Sequence, residues 1–199
     1  MEAAGYLNES DPLPERVISD QDRTHRLVLS GLYELPFGPG RRYANGTKGI
    51  AGKIIEGWQI SMLTQFQSGP ALGFGNSIFN GNLHDIFLPV SERTIGRWFN
   101  TEAGFNRNSA QQLGSNIRTM PSRYSGVRAD GINNWDISAL KNTQITESLR
   151  AQLRWEWINA FNHPQFSPPN TSPVSTAFGT VTGESQIARV MQFALKFIW

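Results

Sequence analysis

Residues 148–162 read SLRAQLRWEWINAFN, and this stretch decides the fold. Leu149, Ala151, Leu153, Trp155 and Trp157 occupy one parity, while Arg150, Gln152, Arg154 and Glu156 occupy the other. A repeat of two marks an extended strand whose successive side chains point to opposite sides. His163-Pro164 ends the run, because proline removes a ladder donor. Working outward, four more segments alternate in the same way. They are RLVLSGLYELP (26–36, stopped by Phe37-Gly38-Pro39-Gly40), WQISMLTQFQS (58–68, stopped by Gly69-Pro70), NNWDISALKNTQ (133–144) and IARVMQFALKFIW (187–199). A short strand near 177–182 (AFGTVT) and a helical turn or two over Lys48 to Ile55 complete the expected elements. The remainder of 69–132 reads as a long irregular stretch rich in Gly, Asn and Ser.

Composition narrows the class. The 199 residues carry a formal net charge of +2, and only 17% are charged, against about a quarter in ordinary soluble domains. Twelve Phe, six Trp and four Tyr accompany that low charge, which argues against a disordered tail or a nucleic-acid-binding arm. Cysteine is absent, so a disulfide scaffold, a thiolate zinc site and a thiol nucleophile are excluded together. No run of about 18 apolar residues exists to make a transmembrane helix. The opening MEAAGYLNESD has no basic, apolar or small-residue cleavage region of the kind an export signal needs. A soluble β-rich protein or a membrane β-barrel remains.

Sorted by parity, one face carries Leu27, Leu29, Gly31, Tyr33 and Leu35, then Trp58, Ile60, Met62, Thr64 and Phe66. The same face continues through Trp135, Ile137, Ala139, Lys141 and Thr143, the apolar members of 149–157, and Met191, Phe193, Leu195, Phe197 and Trp199. Lys141 is the lone charge on it. The opposite face gathers Glu34, Asp136, Arg150, Arg154, Glu156 and Lys196 among amides and hydroxyls. A soluble antiparallel sheet with one packed face explains alternation alone. Two further features favour a bilayer. If the strands run up and down with the C-terminus at the periplasmic side, Tyr33, Trp58 and Trp199 share the lower level and Phe66, Trp135 and Phe161 the upper one. Rings at both headgroup levels are what the two interfaces select. The long connections 69–132 and 163–186 also fall on the outer side and the tight turn at Ile145-Thr146-Glu147 on the inner side, the habit of outer-membrane barrels. Residues 37–57 depart from it, being a long connection on the inner side. Arg189 lies near the external end, where lipopolysaccharide phosphates would accept it. Lys141 must either snorkel to the headgroups or be turned inward by a bulge near Leu140.

Several stretches also resemble a known family: RTHRLVLSGLYELPFGPGRRY (23–43), GWQIS with QSGPAL (57–61, 67–72), RWFNTEAGF (97–105), NNWDISALKN (133–142), LRAQLRWEWINAFNHPQFSPPN (149–170) and QFALKFIW (192–199). Together they are similar to the C-terminal β-barrel part of TonB-dependent outer-membrane receptors of the Oar-like, acidobacterial type. The resemblance implies an all-β fold, namely an antiparallel transmembrane β-barrel fragment supplying about five strands of a roughly 22-stranded barrel. Residues 1–25 would be an external loop remnant and 26–199 barrel strands and loops, with no plug domain. The implied function is substrate uptake powered by TonB, with no transport by these strands alone. Outer-membrane lipid, lipopolysaccharide and the barrel-assembly machinery are the expected partners. The TonB system and the plug would be reached through a missing N-terminal part. The closing strand, Met191, Phe193, Leu195, Phe197 and Trp199, resembles the signal read by the assembly machinery; an ordinary last strand with an aromatic end reads the same way.

No reacting constellation stands out. His25, His84 and His163 lack ligand-spaced partners, no GxSxG occurs, and Gly73-Phe74-Gly75 lacks the setting of a phosphate loop. Neither an enzyme nor a cofactor is expected. Asp136, Ser138, Arg150, Arg154 and Glu156 form a polar row that would face the lumen, there to meet a plug or line a path, or else to act as a cross-strand network of structural role. Phe79, Phe87, Trp98, Phe99 and Tyr124 are candidate ligand contacts of an external loop. Arg41, Arg42, Lys48 and Lys53 make a basic inner turn, expected to be solvated rather than to bind nucleic acid. A soluble β-sandwich that binds carbohydrate is the competing class; it predicts extraction without detergent.

Overall fold

The computed structural model describes residues 6–112 and 118–199. Residues 1–5 and 113–117, which include the opening of the 1–25 segment and part of 69–132, lie outside the described residues. In chain order the elements are β1 (Arg26–Glu34), α1 (Gly49–Ile55), β2 (Trp58–Gln67), β3 (Ala71–Leu72), β4 (Tyr124–Arg128), β5 (Ile132–Gln144), β6 (Arg150–Ile158) and β7 (Val190–Ile198). The chain divides into two units.

One unit, Arg26–Phe66, Asn133–Pro164 and Ile187–Trp199, is built on a five-stranded sheet ordered β1-β2-β5-β6-β7. Leu35 N donates to Trp58 O at 2.9 Å and Asn142 N to Gly57 O at 3.0 Å, so each connection returns antiparallel to its neighbour. From β5 to β7 the register is continuous: Ile137, Trp157 and Met191 face one another, as do Ala139, Trp155 and Phe193, then Lys141, Leu153 and Leu195. The alternate rows are polar, Ser138 with Glu156 and Gln192, and Asn142 with Gln152 and Lys196. All five expected strands form, four with trimmed ends and β5 beginning one residue earlier, at Ile132. β1 stops before Pro36, and β6 stops at Ile158 because Asn159 and Asn162 turn through φ +50 and +52. Phe161 therefore stands in a turn after β6 and not on the strand. Ladder pairing passes through Leu140 without a shift, so no bulge turns Lys141 to the polar side. The tight turn is closed by Ile145 N on Leu149 O at 2.9 Å and by Leu149 N on the Thr146 hydroxyl at 3.1 Å. At Gly57 (φ +74) the chain enters β2 so close to β5 that a Cβ would stand 2.2 Å from Asn142 O; glycine alone fits there.

The other unit, Met1–His25, Gln67–Ile132 and Gln165–Gln186, has little regular structure across 69–132, as expected, yet it folds around a core of its own. Its core holds Phe74, Phe79, Trp98, Phe99, Phe105 and Phe178 with Ile86, Met120 and Val127. Phe105 is the hub, its ring 4.9–5.0 Å from those of Phe74, Phe79 and Phe178. Aperiodic spacing hid this core, because each ring arrives from a different turn and not from a strand face. β3 pairs with β4 across its edge, with an irregular register between Ala71 and Leu72. Residues 177–182 form no strand: Phe178 N and Thr180 N bond back to Ser175 O and Ala177 O as turns, and Gly179 takes φ +82. Arginines tie the stretch before β1 to this unit. Arg118 donates to Leu7 O (2.7 Å) and Tyr6 O (2.8 Å), and Arg128 pairs with Asp22 at 2.7 Å.

Candidate functional site

The polar parity of the sheet assembles four of the five residues of the expected row. Ser138 Oγ lies 2.7 Å from Ser61 Oγ on β2, and across β6 the same line meets Glu156 and then Gln192, whose amide donates to the Glu156 carboxylate. Arg154 Nη1 sits 3.4 Å from Glu156 Oε1, and Asp136 accepts the Asn159 backbone N–H at 3.0 Å. Arg150 is not brought in; it pairs with Gln144 and Ile198 at the strand end, roughly 13 Å along β6 from Arg154. Ser61 and Gln192, which complete the line, were on the polar face in the sequence but could not be singled out before register was known.

A hollow of about 600 Å³ over the middle of β1, β2, β5 and β6 is lined by Ser30, Ser61, Asp136, Ser138 and Glu156 of the polar parity, together with apolar-parity residues such as Met62 and Ile137. A smaller one of about 250 Å³ adjoins Gln59, Leu140 and Arg154. Leucines 32, 63 and 140 interrupt this face, so it offers hydroxyls, a carboxylate pair and one guanidinium between apolar patches. Such a lining can hold a ligand by hydrogen bonds. Arg154 is half exposed, so its pairing with Glu156 contributes little stability.

The apolar parity is open to its surroundings: Met191 is 55% exposed, Phe193 66%, Leu195 60% and Phe197 50%. Its rings collect at the two strand ends. At one end Trp135 meets Phe66 at 5.7 Å and Phe161 at 5.5 Å, both edge-on. At the other end stand Tyr33, Trp58 and Trp199, the last beyond β7. Between them Trp155 stacks on Phe193 at 4.9 Å, its indole N–H without an acceptor. Lys141 stays on this face. Its ammonium runs to the end of the sheet, donating to Lys53 O (2.7 Å) and Glu56 O (2.6 Å) over the Trp58 ring.

In the other unit, three of the five expected ligand contacts are core residues: Phe79, Trp98 and Phe99 are 5%, 8% and 0% exposed. Tyr124 packs against that core. Phe87 alone is well exposed, with the Arg93 guanidinium 5.3 Å over its ring and the Arg93 Nε on Leu88 O at 2.8 Å. Partial burial lowers the Arg93 pKa from its ordinary value. Among the described residues no three His, Asp or Glu side chains come together as a metal would require, and no helix is long and apolar enough to cross a membrane.

Comparison with known proteins adds one match: the model of a family described as outer membrane beta barrel domain covers residues 2–192. No curated protein and no solved structure matches.

Proposed function

The chain belongs to the outer membrane β-barrel domain family, and from that premise we propose that it forms barrel wall in a TonB-dependent receptor of the Oar-like type that takes up a substrate. The family and the open antiparallel sheet make it an outer-membrane barrel protein. The carrying observation is the uncovered apolar face from Met191 to Phe197, backed by rings at both strand ends. A β-sandwich would bury that face under a second layer. Receptor function is supported by the motif resemblance and by the hydrogen-bonding line Ser61, Ser138, Glu156 and Gln192 above a hollow. In this reading the polar face meets a plug or a passing substrate and no substrate bond is broken. A plug, the TonB system and the barrel-assembly machinery, reading β7, are the partners.

The cysteine-free chain suits a two-face test. Gln152→Cys and Leu153→Cys are adjacent and opposite in parity, and each is labelled with a fluorophore in the membrane-inserted protein. Position 153 should be quenched by a nitroxide on lipid acyl chains and position 152 by aqueous iodide only. Equal aqueous quenching of both refutes the wall. For transport, labelling at Gln192→Cys in a barrel completed with its plug should differ between energised cells and cells treated with an uncoupler, while these strands alone should show no difference. An unchanged rate in the completed barrel refutes TonB-driven uptake and leaves the wall standing.

A further inference from the structure

Residues 37–57 hold Arg41, Arg42, Lys48 and Lys53 against the single acid Glu56, a surplus of +3 in a chain whose whole net charge is +2. The rest of the molecule is therefore slightly acidic in sum, with 14 cations against 15 acids. A merely solvated turn would show polar side chains with its cations. Instead Ile50 is 79% exposed and Ile54 59%, four residues apart on one flank of α1. Phe37 and Tyr43, in ring contact at 5.7 Å, are 41% and 48% exposed, and the Arg42 guanidinium lies 5.4 Å over Tyr43.

The attachment of α1 fixes which side of the sheet it occupies. Trp58 Nε1 donates to Ile54 O at 2.9 Å, and Lys141 Nζ takes the carbonyls of Lys53 and Glu56. Both side chains belong to the apolar parity, so they draw the C-terminal end of the helix to the apolar side of the sheet rim. Cations at that end also oppose the negative pole of the helix. On an inserted barrel wall the apolar side is the lipid side, and this rim is the one that carries the tight turn and Trp199.

We infer that the 37–57 connection is a foot bedded in the periplasmic leaflet, its isoleucines among acyl chains and Arg42, Lys48 and Lys53 on anionic phospholipid headgroups, while Arg41 is held at 3.4 Å by Glu34 of the polar parity. The inference rests on the barrel-wall reading. Exposed apolar residues flanked by cations, with an indole at the boundary, match the chemistry of a leaflet surface that is apolar below and negatively charged above. The same arrangement accounts for the lone lysine of the lipid side: Lys141 is the strut that holds the foot.

The test uses the whole chain in phosphatidylcholine vesicles containing phosphatidylglycerol. A fluorophore at Ile54→Cys is challenged with headgroup nitroxides on phosphatidylglycerol or on phosphatidylcholine, and Leu153→Cys with an acyl-chain nitroxide serves as reference. Phosphatidylglycerol should quench position 54 at least fivefold more strongly than phosphatidylcholine, since each cation near an anionic surface contributes roughly fivefold. Replacing Arg42, Lys48 and Lys53 by Gln should bring the ratio to one. In the unsubstituted chain, about 1 M salt should do the same by screening. Equal quenching by the two lipids overturns the inference, as does quenching by aqueous iodide alone. Shielding from both lipid and iodide also overturns it, since a protein partner then covers the foot. In all three cases position 153 still reports immersion; loss of that signal as well refutes the barrel wall itself.

Discussion

Placing an arginine on either side of β7 separates a lipid-facing wall from a soluble sheet. Leu195 lies near the middle of the strand, opposite Leu153, and is 60% exposed on the apolar parity. Gln192 lies three residues earlier on the polar parity, opposite Glu156, to which it already donates. One residue from the strand centre is about 3 Å along the chain and less in depth, because barrel strands tilt. Position 195 therefore lies well within an apolar band about 25 Å tall, where arginine costs about 2–4 kcal/mol. That is roughly 30-fold to 900-fold in the folding equilibrium. The value should fall toward the lower end, since a long side chain can bend toward the rim as Lys141 does. Gln192→Arg instead places a guanidinium beside the Glu156 carboxylate and should change stability by less than about 0.5 kcal/mol. Guanidinium titration in phospholipid vesicles, followed by tryptophan fluorescence, measures both. Near-equal costs, or the larger cost at 192, would refute the assignment of faces.

Four further outcomes rest on local geometry. Phe105→Ala removes the hub of the ring cluster and should cost about 3–5 kcal/mol, read as earlier proteolysis of the unit that contains it. Gly57→Ala meets both φ +74 and a carbonyl 2.2 Å from the new methyl; at least about 1–3 kcal/mol of backbone strain should appear as a lower unfolding midpoint. Trp155→Phe keeps the stack on Phe193 and discards an N–H without an acceptor, so it should cost under about 1 kcal/mol. Trp58→Phe loses the bond to Ile54 O, about 1 kcal/mol, and the same vesicle titration should rank the two in that order.

The sheet was legible because its signal is local. Two unlike faces make every second residue informative, and the turn centred on Glu147 then fixes each β5–β6 pair, Ser138 with Glu156 included. What sequence alone could not supply is pairing across long separations. Ser61 meets Ser138 only because residues 69–132 return the chain to the right register, and no periodicity encodes that return. The same limit concealed the ring core. RWFNTEAGF carries part of the family resemblance, yet Trp98, Phe99 and Phe105 are interior residues of a unit with almost no regular structure. Phe79, Trp98 and Phe99 therefore read as ligand contacts when they are packing. Lys141 was ambiguous for a different reason: the alternatives of bulge and snorkel differ in what lies at the rim, and α1 supplies the carbonyls that decide it.

The two free edges constrain what can close the wall. β1 runs from Arg26 toward the rim that carries α1, and β7 ends at that same rim, where Ile198 faces Arg150. Five alternating strands make the outermost pair point the same way. Two copies held in one membrane orientation would therefore bring β7 of one against β1 of the other in parallel, against the antiparallel pattern of every pair in this sheet. Self-association is thus a poor way to cover the edges. Bacterial single-chain barrels have an even number of strands, so antiparallel closure here calls for an odd number of additional strands, whatever supplies them. Their first and last members would meet β7 and β1 respectively. The edges have no charged gatekeeper at mid-strand, Leu29 and Ser30 on β1 and Phe193 and Ala194 on β7. That is the composition of a seam meant to be paired rather than one protected from pairing.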